Sequence, residues 1–416
     1  MKNIPIGLLR RAMHEKGKHG VVEVSEAYFL KQKELEKGNE WYYDATLLGG
    51  SDHACHVVNN FQVSEMSIWS INHYLGLNRE SDVINAGLKS LFSHGTGSGT
   101  SAMSGGHCEL HKQIQDKFSK IFNKEESLLY STGFTANLGA ISGLMGGSKT
   151  HNLIIIDQEC HASIIDGCKL SGATFIRFKH NDVNDLKYKM EKYKDKYSNI
   201  MVAIESIYSM SGDIAPIKEI CNLKEHIPFI LFVDESHSFG IYGEKGRGMC
   251  FELGVLDKVD IIMTTLSKSC ASIGGIISTS RKFCSILRWS SSYIYQASIP
   301  PHCAAIVLAA LEQISQGYLV DELNSKVAYF RTMLDANGFK TGGYGAIVPI
   351  YVEDEKLKRF EKELFRRGIY TVAIQYPIVA LGEARFRFII NASHTFQEID
   401  NLLLNLNDIR DNINQI

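Results

Sequence analysis

Phe229-Ile-Leu-Phe-Val233-Asp234-Glu-Ser-His237 and, further along, Asp260-Ile-Ile-Met-Thr-Thr-Leu-Ser-Lys268 are the stretches that decide the fold. Each opens with a short apolar run that reads as a buried strand, and each ends in residues that carry chemistry. Two strands thus deliver an amine and a carboxylate–imidazole pair to the carboxyl edge of one sheet, where open α/β sheets bind their ligands. A lysine amine able to form a Schiff base, with an aspartate facing a pyridinium nitrogen, is the constellation that pyridoxal phosphate requires. One lysine after a strand is ordinarily a solvated turn residue. The whole set, in this order and spacing, is not explained that way.

The surrounding chain repeats the pattern. Apolar runs at Ser127–Tyr130, Asn152–Ile156, Thr174–Phe178 and Met201–Ile204 precede Phe229–Val233 and Ile261–Thr264. Several are continuous rather than alternating, as in a parallel sheet covered on both faces. Leu110, Ile114, Phe118 and Ile121 recur at helical spacing among polar residues. The alternation predicts a large doubly wound, mainly parallel α/β domain over residues 61–300, closed by Pro300-Pro301. Residues 1–60, polar with a helical stretch near Tyr28–Glu36, read as an arm. Residues 301–416 read as a smaller α+β domain, with a helix over 302–316 and strands at Ala346–Val352 and Arg385–Ile390.

A chain of 416 residues is too long for one small core. Its 44% hydrophobic and 22% charged content is ordinary for a soluble globular protein. A net charge of -2 gives no polyanion-binding signature, so nucleic acid is not an expected partner. The nine cysteines include no CxxC pair, which argues for reduced thiols rather than a zinc ribbon or a disulfide framework. The opening residues lack the pattern of a signal peptide, and no apolar run approaches the roughly 18 residues of a membrane span. The reading is a soluble cytoplasmic protein with no transmembrane segment.

Asp234 facing a pyridine nitrogen keeps the ring protonated, and a protonated ring stabilises a carbanion at the α-carbon of a bound amino acid. His237 is placed to bond the ring's phenolic oxygen or a substrate carbonyl. His161, in Asp157-Gln-Glu-Cys-His161, follows another strand and offers a flat imidazole to stack on the cofactor ring. Gly133 and Phe134 lie where a strand gives way to a helix, whose free N–H groups suit a phosphate. Thr265 and Ser267 add hydroxyls beside the lysine, and Ser209 follows a further strand within reach of the ring. The run Gly95-Thr-Gly-Ser-Gly-Thr100 lacks the Lys-Ser/Thr of a P-loop and reads as a loop near the active site. His53 with His56, and His107 with His111, have no convincing third ligand, so no metal is expected.

Taken together, the segments STGFTANLGA (131–140), ECHASIIDG (159–167), SIYSMSGDIAPI (206–217), VDESHSFGIYGEKGRG (233–248), TTLSKS (264–269) and ASIPP (297–301) resemble the α-oxoamine synthase family of pyridoxal-phosphate enzymes. The resemblance runs from Asn72 to Phe388, in family order. It implies a fold-type I homodimer with active sites at the subunit interface. It implies Lys268 as the Schiff-base lysine, Asp234 at the pyridine nitrogen, His161 stacked on the ring, His237 near the phenolic oxygen and Thr265 on the phosphate. Gly133, Phe134, Ser209 and Ser298 join the cofactor-binding set. Asn72 and Arg387 would meet the substrate, Arg387 as the bidentate clamp of an amino-acid carboxylate. Arg385, two residues earlier on the same strand face, is its rival. This chain departs from the family at Ser101-Ala102-Met103, where an arginine is frequent, at His73 in place of an aspartate, and at Gln296-Ala297, where a hydroxyl pair often precedes Ser-x-Pro-Pro. The implied reaction condenses an amino acid with an acyl-CoA, releasing CoA and CO2 and leaving an α-aminoketone. HASIIDG, SMSGDIAPI and SKS look closest to bacterial serine palmitoyltransferases, which points to L-serine, a long-chain acyl-CoA and sphingolipid synthesis. Glycine or alanine with a shorter acyl-CoA, and a non-catalytic partner subunit, are the alternatives.

Overall fold

The computed structural model describes residues 8–37, 45–59, 62–147, 151–376 and 378–414. The domain boundary expected between residues 60 and 61 lies outside the described residues. At the centre is a seven-stranded sheet. Its strands, labelled in chain order, are β1 (Glu126–Tyr130), β2 (Asn152–Asp157), β3 (Thr174–Phe178), β4 (Asn199–Glu205), β5 (Ile230–Asp234), β6 (Ile261–Thr265) and β7 (Gly275–Thr279). They lie in the order β1-β7-β6-β5-β4-β2-β3, and only β7 runs against the others. β2 is buried along its whole length and β4 along all but its first residue. That double-sided cover accounts for apolar runs without alternation. Helices fill the connections. Among them, α1 (Gly133–Met145) follows β1, and α2 (Ala162–Ser171) follows β2 and packs on α1.

The register sets the functional edge. Asp157 pairs with Phe178, Glu205 with Asp234, and Asp234 with Met263. The carboxyl ends of neighbouring strands therefore come level, and the residues that follow them open on one rim.

β7 is the strand of the central sheet that the apolar pattern missed. Gly275-Ile-Ile-Ser-Thr279 offers only two large apolar residues. It is nonetheless wholly buried, and it satisfies its hydroxyls inside the sheet: Ser278 Oγ lies 2.7 Å from Ser127 Oγ on β1. Two hydroxyls that bond each other can be buried where one alone is costly.

Beyond the central sheet, Ile347–Tyr351, Arg385–Ile389 and Val372–Ile374 form an antiparallel sheet, with the middle strand in that space supplied by Arg385–Ile389. Helices Pro301–Gln316 and Tyr318–Ala336 precede it. The chain's early part is more regular than its polar composition foretells. Helices Leu9–Glu15 and Val21–Lys37 are followed by strands Thr46–Leu48, Ala54–Asn59 and Gln62–Ile68, and the last of these pairs in parallel with Ile369–Tyr370. Among the described residues no single helix is long and apolar enough to cross a membrane.

α1 meets β7 at Gly275, where an added Cβ would lie 2.5 Å from the Thr132 carbonyl oxygen and 2.8 Å from Gly133 Cα. Both are backbone atoms that cannot rotate away. Gly275→Ala is expected to lower stability by ~1–3 kcal/mol, the usual cost of overpacking. The midpoint of urea unfolding reads this, and an unchanged midpoint would show that α1 is free to shift.

Candidate active site

Four strand ends supply the site's charged residues. β4 ends in Glu205, β5 in Asp234, β6 in Thr265 with Lys268 just beyond, and His161 follows β2. Lys268 Nζ lies 2.7 Å from His237 Nε2, and His237 Nδ1 lies 2.6 Å from the Tyr74 hydroxyl. Tyr74 Oη reaches Asn72 Oδ1 at 3.3 Å, and the same oxygen accepts from Arg387 Nη2 at 3.1 Å. Arg387 Nε donates to the Ser209 carbonyl at 2.5 Å. One line of hydrogen bonds therefore joins Lys268, His237, Asn72, Arg387 and Ser209.

Burial governs the electrostatics along that line. It lowers the Lys268 amine to a pKa of about 8, against the pull of Asp234 and Glu205 towards the charged form, and the Arg387 charge adds to the depression. Burial, then the charges of Lys268 and Arg387, hold His237 well below the usual histidine range. A neutral imidazole has one N–H and one acceptor nitrogen. Tyr74 gives its one hydroxyl proton to Asn72 Oδ1, so His237 donates to Tyr74 through Nδ1 and accepts from Lys268 through Nε2. Burial raises Tyr74, so it keeps the proton that it donates to Asn72.

A second network lies around Asp234. Its Oδ2 accepts from Asn137 Nδ2 at 2.8 Å, and its Oδ1 from the Ser236 backbone N–H at 2.9 Å. Asn137 Nδ2 also donates to Ser163 Oγ at 3.0 Å, and Ser163 Oγ is 2.7 Å from His161 Nδ1. His161 caps α2, and the Phe134 ring meets it edge-on at 6.3 Å between centroids. Burial lowers the pKa of His161, with Asp234 opposing. The His161 backbone N–H donates to Glu205 Oε1 at 2.5 Å. Burial and the nearby Asp234 raise Glu205 to about 8.

The third part is the N-terminus of α1. Thr132 caps it, its first turn carries no acidic residue, and it begins at Gly133 and Phe134. An added Cβ at Gly133 would lie 2.7 Å from Thr265 Cβ, so only glycine lets the helix end meet β6 this closely. Thr265 Oγ1 and Ser267 Oγ are 2.8 Å apart. Ser131, just before, donates its N–H to Gln296 Oε1 at 3.0 Å and its hydroxyl to the Ala297 carbonyl.

The structure thus gathers Lys268, His237, Asn72, Arg387 and Ser209 into one network, and Asp234, His161 and Phe134 into another. It keeps Gly133 and Thr265 in contact. Ser298 stands apart: its N–H donates to Thr100 O and its buried hydroxyl has no partner among the described residues. Arg385 is separated from Arg387 by its own partners, pairing with Glu383 at 3.0 Å and lying 4.7 Å over the Tyr351 ring. Tyr74, Asn137, Ser163, Glu205 and Gln296 carry contacts that sequence reasoning did not assign. Glu205 had a signal, since a carboxylate closing a continuous apolar run repeats the pattern of Asp234. Asn137 sits one helical turn after Gly133, a weaker signal.

These groups fit pyridoxal phosphate. A low-pKa amine, a buried carboxylate, a flat imidazole and an acid-free helix end with hydroxyls match its aldehyde, ring nitrogen, ring face and phosphate.

The model of the class I and II aminotransferases matches residues 64–406. The serine palmitoyltransferase of Sphingobacterium spiritivorum is 36% identical over 333 residues, covering 79% of this chain and 82% of that protein. The 8-amino-7-oxononanoate synthase of Thermoanaerobacter pseudethanolicus is 32% identical over 381 residues, covering 89% of this chain and 94% of that protein. Among solved structures, SPT with its pyridoxal phosphate as internal aldimine superposes with a TM-score of 0.89 at 26% identity, covering 96% of this chain and 100% of that one.

A lysine attacks an aldehyde only as the free base. The cofactor-free protein mixed with pyridoxal phosphate is therefore expected to capture it faster as pH rises through about 8, where Lys268 loses its proton, and to level off above. Stopped-flow absorbance of the Schiff-base band follows this. A rate that keeps climbing about tenfold per pH unit past about pH 9 would be that of an ordinary lysine amine and would contradict the lowering.

Proposed function

The chain belongs to the class I and II aminotransferase family, in its α-oxoamine synthase group, and on that premise we propose that it condenses L-serine with a long-chain acyl-CoA. It is a pyridoxal-phosphate-dependent acyltransferase that joins an amino acid to an acyl-CoA. The working unit we propose is a homodimer with active sites at the subunit interface, acting in the cytoplasm. The carrying observation is the contact of Lys268 Nζ with a neutral His237, in the network that also holds Arg387.

Bound pyridoxal phosphate supplies an electron sink for the charge left when the amino acid's α-carbon loses a proton. Lys268 would hold its aldehyde, Asp234 its ring nitrogen, His161 its face and His237 its phenolic oxygen. Gly133, Phe134 and Thr265 would receive its phosphate, with Ser209 and Ser298 as further members of the set. The Asn137 and Ser236 donors fix the Asp234 carboxylate, and Ser163 fixes the His161 ring. Once the substrate amine has displaced it, Lys268 Nζ is the base for the α-proton. A pKa of about 8 leaves it partly free near neutrality, close to the optimum for such a base. His237 orients that amine through Nε2. Arg387 offers the planar fork for the substrate carboxylate, with Asn72 and the Ser209 carbonyl holding the guanidinium in plane. The α-carbon then bonds the thioester carbonyl, the C–S bond breaks and CoA leaves as a thiolate, which takes its proton from solvent. After the carboxyl group departs as CO2, the Lys268 ammonium returns a proton to the α-carbon.

L-serine and a long acyl chain are supported by HASIIDG, SMSGDIAPI and SKS and by the serine palmitoyltransferase relative. A second reading, alanine or glycine with a shorter acyl-CoA, is supported by the 8-amino-7-oxononanoate synthase relative.

Thiol release is the deciding assay, with serine, glycine and alanine each paired with acyl-CoAs of increasing length. Serine with a long chain is expected to be fastest. Alanine or glycine with a short chain would establish the second reading, and cofactor binding without CoA release from any pair would establish a non-catalytic subunit. Lys268→Ala is expected to cut turnover by about 10³-fold or more, and normal turnover would remove Lys268 from its role. Arg387→Lys is expected to raise KM for the amino acid by about tenfold, because an ammonium cannot form the planar fork. An unchanged KM would shift the clamp to Arg385.

A further inference from the structure

His180 lies just after β3 and touches none of the residues placed around Lys268, yet it is bonded more heavily than its exposure requires. Its Nδ1 is 3.0 Å from Asp157 Oδ1, and its Nε2 is 3.5 Å from Asp213 Oδ2 and 3.7 Å from Glu159 Oε2. The Tyr208 ring closes a further side edge-on at 4.5 Å. The charge of Arg385 also acts on Asp213 and Glu159. Three carboxylates thus converge on one imidazole, and they come from two different loops.

Both loops lead to the active site. Asp157 is fully buried at the end of β2, and its carboxylate also accepts from the backbone N–H groups of Glu159 and Asn181. The next residues, Glu159 and Cys160, turn directly into His161. Asp213 closes the turn that starts at Ile207, with Tyr208 N–H donating to Asp213 O and Gly212 N–H to Tyr208 O. That turn carries Ser209, whose carbonyl receives Arg387 Nε. Asn181 holds φ 54°, in the left-handed region that costs a non-glycine residue energy. In that conformation its N–H reaches Asp157, and its side chain donates to Ile214 O in the same turn.

We propose that His180 is a positioning residue that ties the loop bearing His161 to the turn bearing Ser209, and so keeps the cofactor face and the Arg387 clamp in mutual register. The proposal rests on the active-site roles given to His161 and Arg387. The ring acts as a cation. Burial disfavours its charge, but the hydrogen bonds it donates to Asp157 and Asp213 outweigh this and lift its pKa to about 10. A neutral side chain here would leave Asp157, Glu159 and Asp213 facing one another with only the charge of Arg385 to oppose two of them.

His180→Gln tests this, with Asp213→Asn as a milder cut on the other side of the clasp. The readouts are the circular dichroism of the bound cofactor and the amino-acid concentration that half-shifts the cofactor absorbance, both taken on holoenzyme. His180→Gln is expected to alter the cofactor band and weaken amino-acid binding by about tenfold, the scale of a small misplacement. The two changes combined are expected to cost little more than His180→Gln alone, since both cut one tie. In the unsubstituted protein, amino-acid affinity is expected to fall as pH rises through about 10, and His180→Gln loses that step. A folded His180→Gln with an unaltered band and affinity overturns the proposal. If that variant does not fold, the same result with Asp213→Asn overturns it. Neither readout needs an acyl donor, and serine, glycine and alanine are each titrated, so a wrong substrate assignment changes which amino acid shifts the band and leaves the comparison with His180→Gln intact.

Discussion

The withdrawal of one amine from water is the constraint on which the site depends. Burial takes Lys268 down to a pKa of about 8 even though Asp234 and Glu205 favour its charged form. An exposed lysine would stay protonated and could neither form a Schiff base nor take a proton near neutrality. The parallel sheet supplies the counterbalance. Because Glu205, Asp234 and Met263 are level across β4, β5 and β6, the carboxylates sit at adjacent strand ends beside the lysine's loop. A one-residue slip of β5 would turn Asp234 to the opposite face. Cover on both faces of the strands makes such a slip costly.

The substrate side is assembled from parts far apart in the chain. Trp69 N–H donates to Tyr370 O, Ile389 N–H to Trp69 O, and Ala392 N–H to Tyr74 O. The segment that carries Asn72 and Tyr74 is therefore stitched along the strand that carries Arg387. This explains how Asn72 Oδ1 can accept from Arg387 and from Tyr74 together. A buried polar network of this kind specifies one arrangement when all its members are bonded, and loses much when one is missing.

The residues legible in the sequence were those that follow continuous apolar runs: Lys268, Asp234, His237 and His161. A strand's end fixes where its next residues emerge, so order and spacing alone located them. β7 was not legible, because its burial rests on a hydroxyl pair with β1 rather than on apolar side chains. The strands from Thr46 to Ile68 were not legible either. Gln62–Ile68 is largely exposed, and its outer partner, Ile369–Tyr370, is distant in the chain. Arg385 and Arg387 share a strand face, so spacing cannot rank them. Their partners differ: Glu383 and Tyr351 hold one, while Asn72 and Ser209 hold the other. Tyr74, Asn137 and Ser163 act through contacts between elements, which no single-segment pattern encodes.

The site resolves its carboxylates in two opposite ways. At the inner rim Glu205 and Asp234 are neighbours, and burial together with Asp234 raises Glu205 to about 8. Two adjacent carboxylates there need not both be charged, and Glu205 still accepts the His161 N–H while neutral. One ring layer outward, Asp157, Glu159 and Asp213 meet around a raised-pKa His180, and a cation answers them instead. The choice follows from what each place must do. A fixed cation beside Lys268 would depress the amine further and compete for Asp234. Displaced to the outer layer, the same cation ties loops together without touching the reacting amine. The inner rim is thereby left with groups whose protons can move, and the outer layer with one whose proton stays.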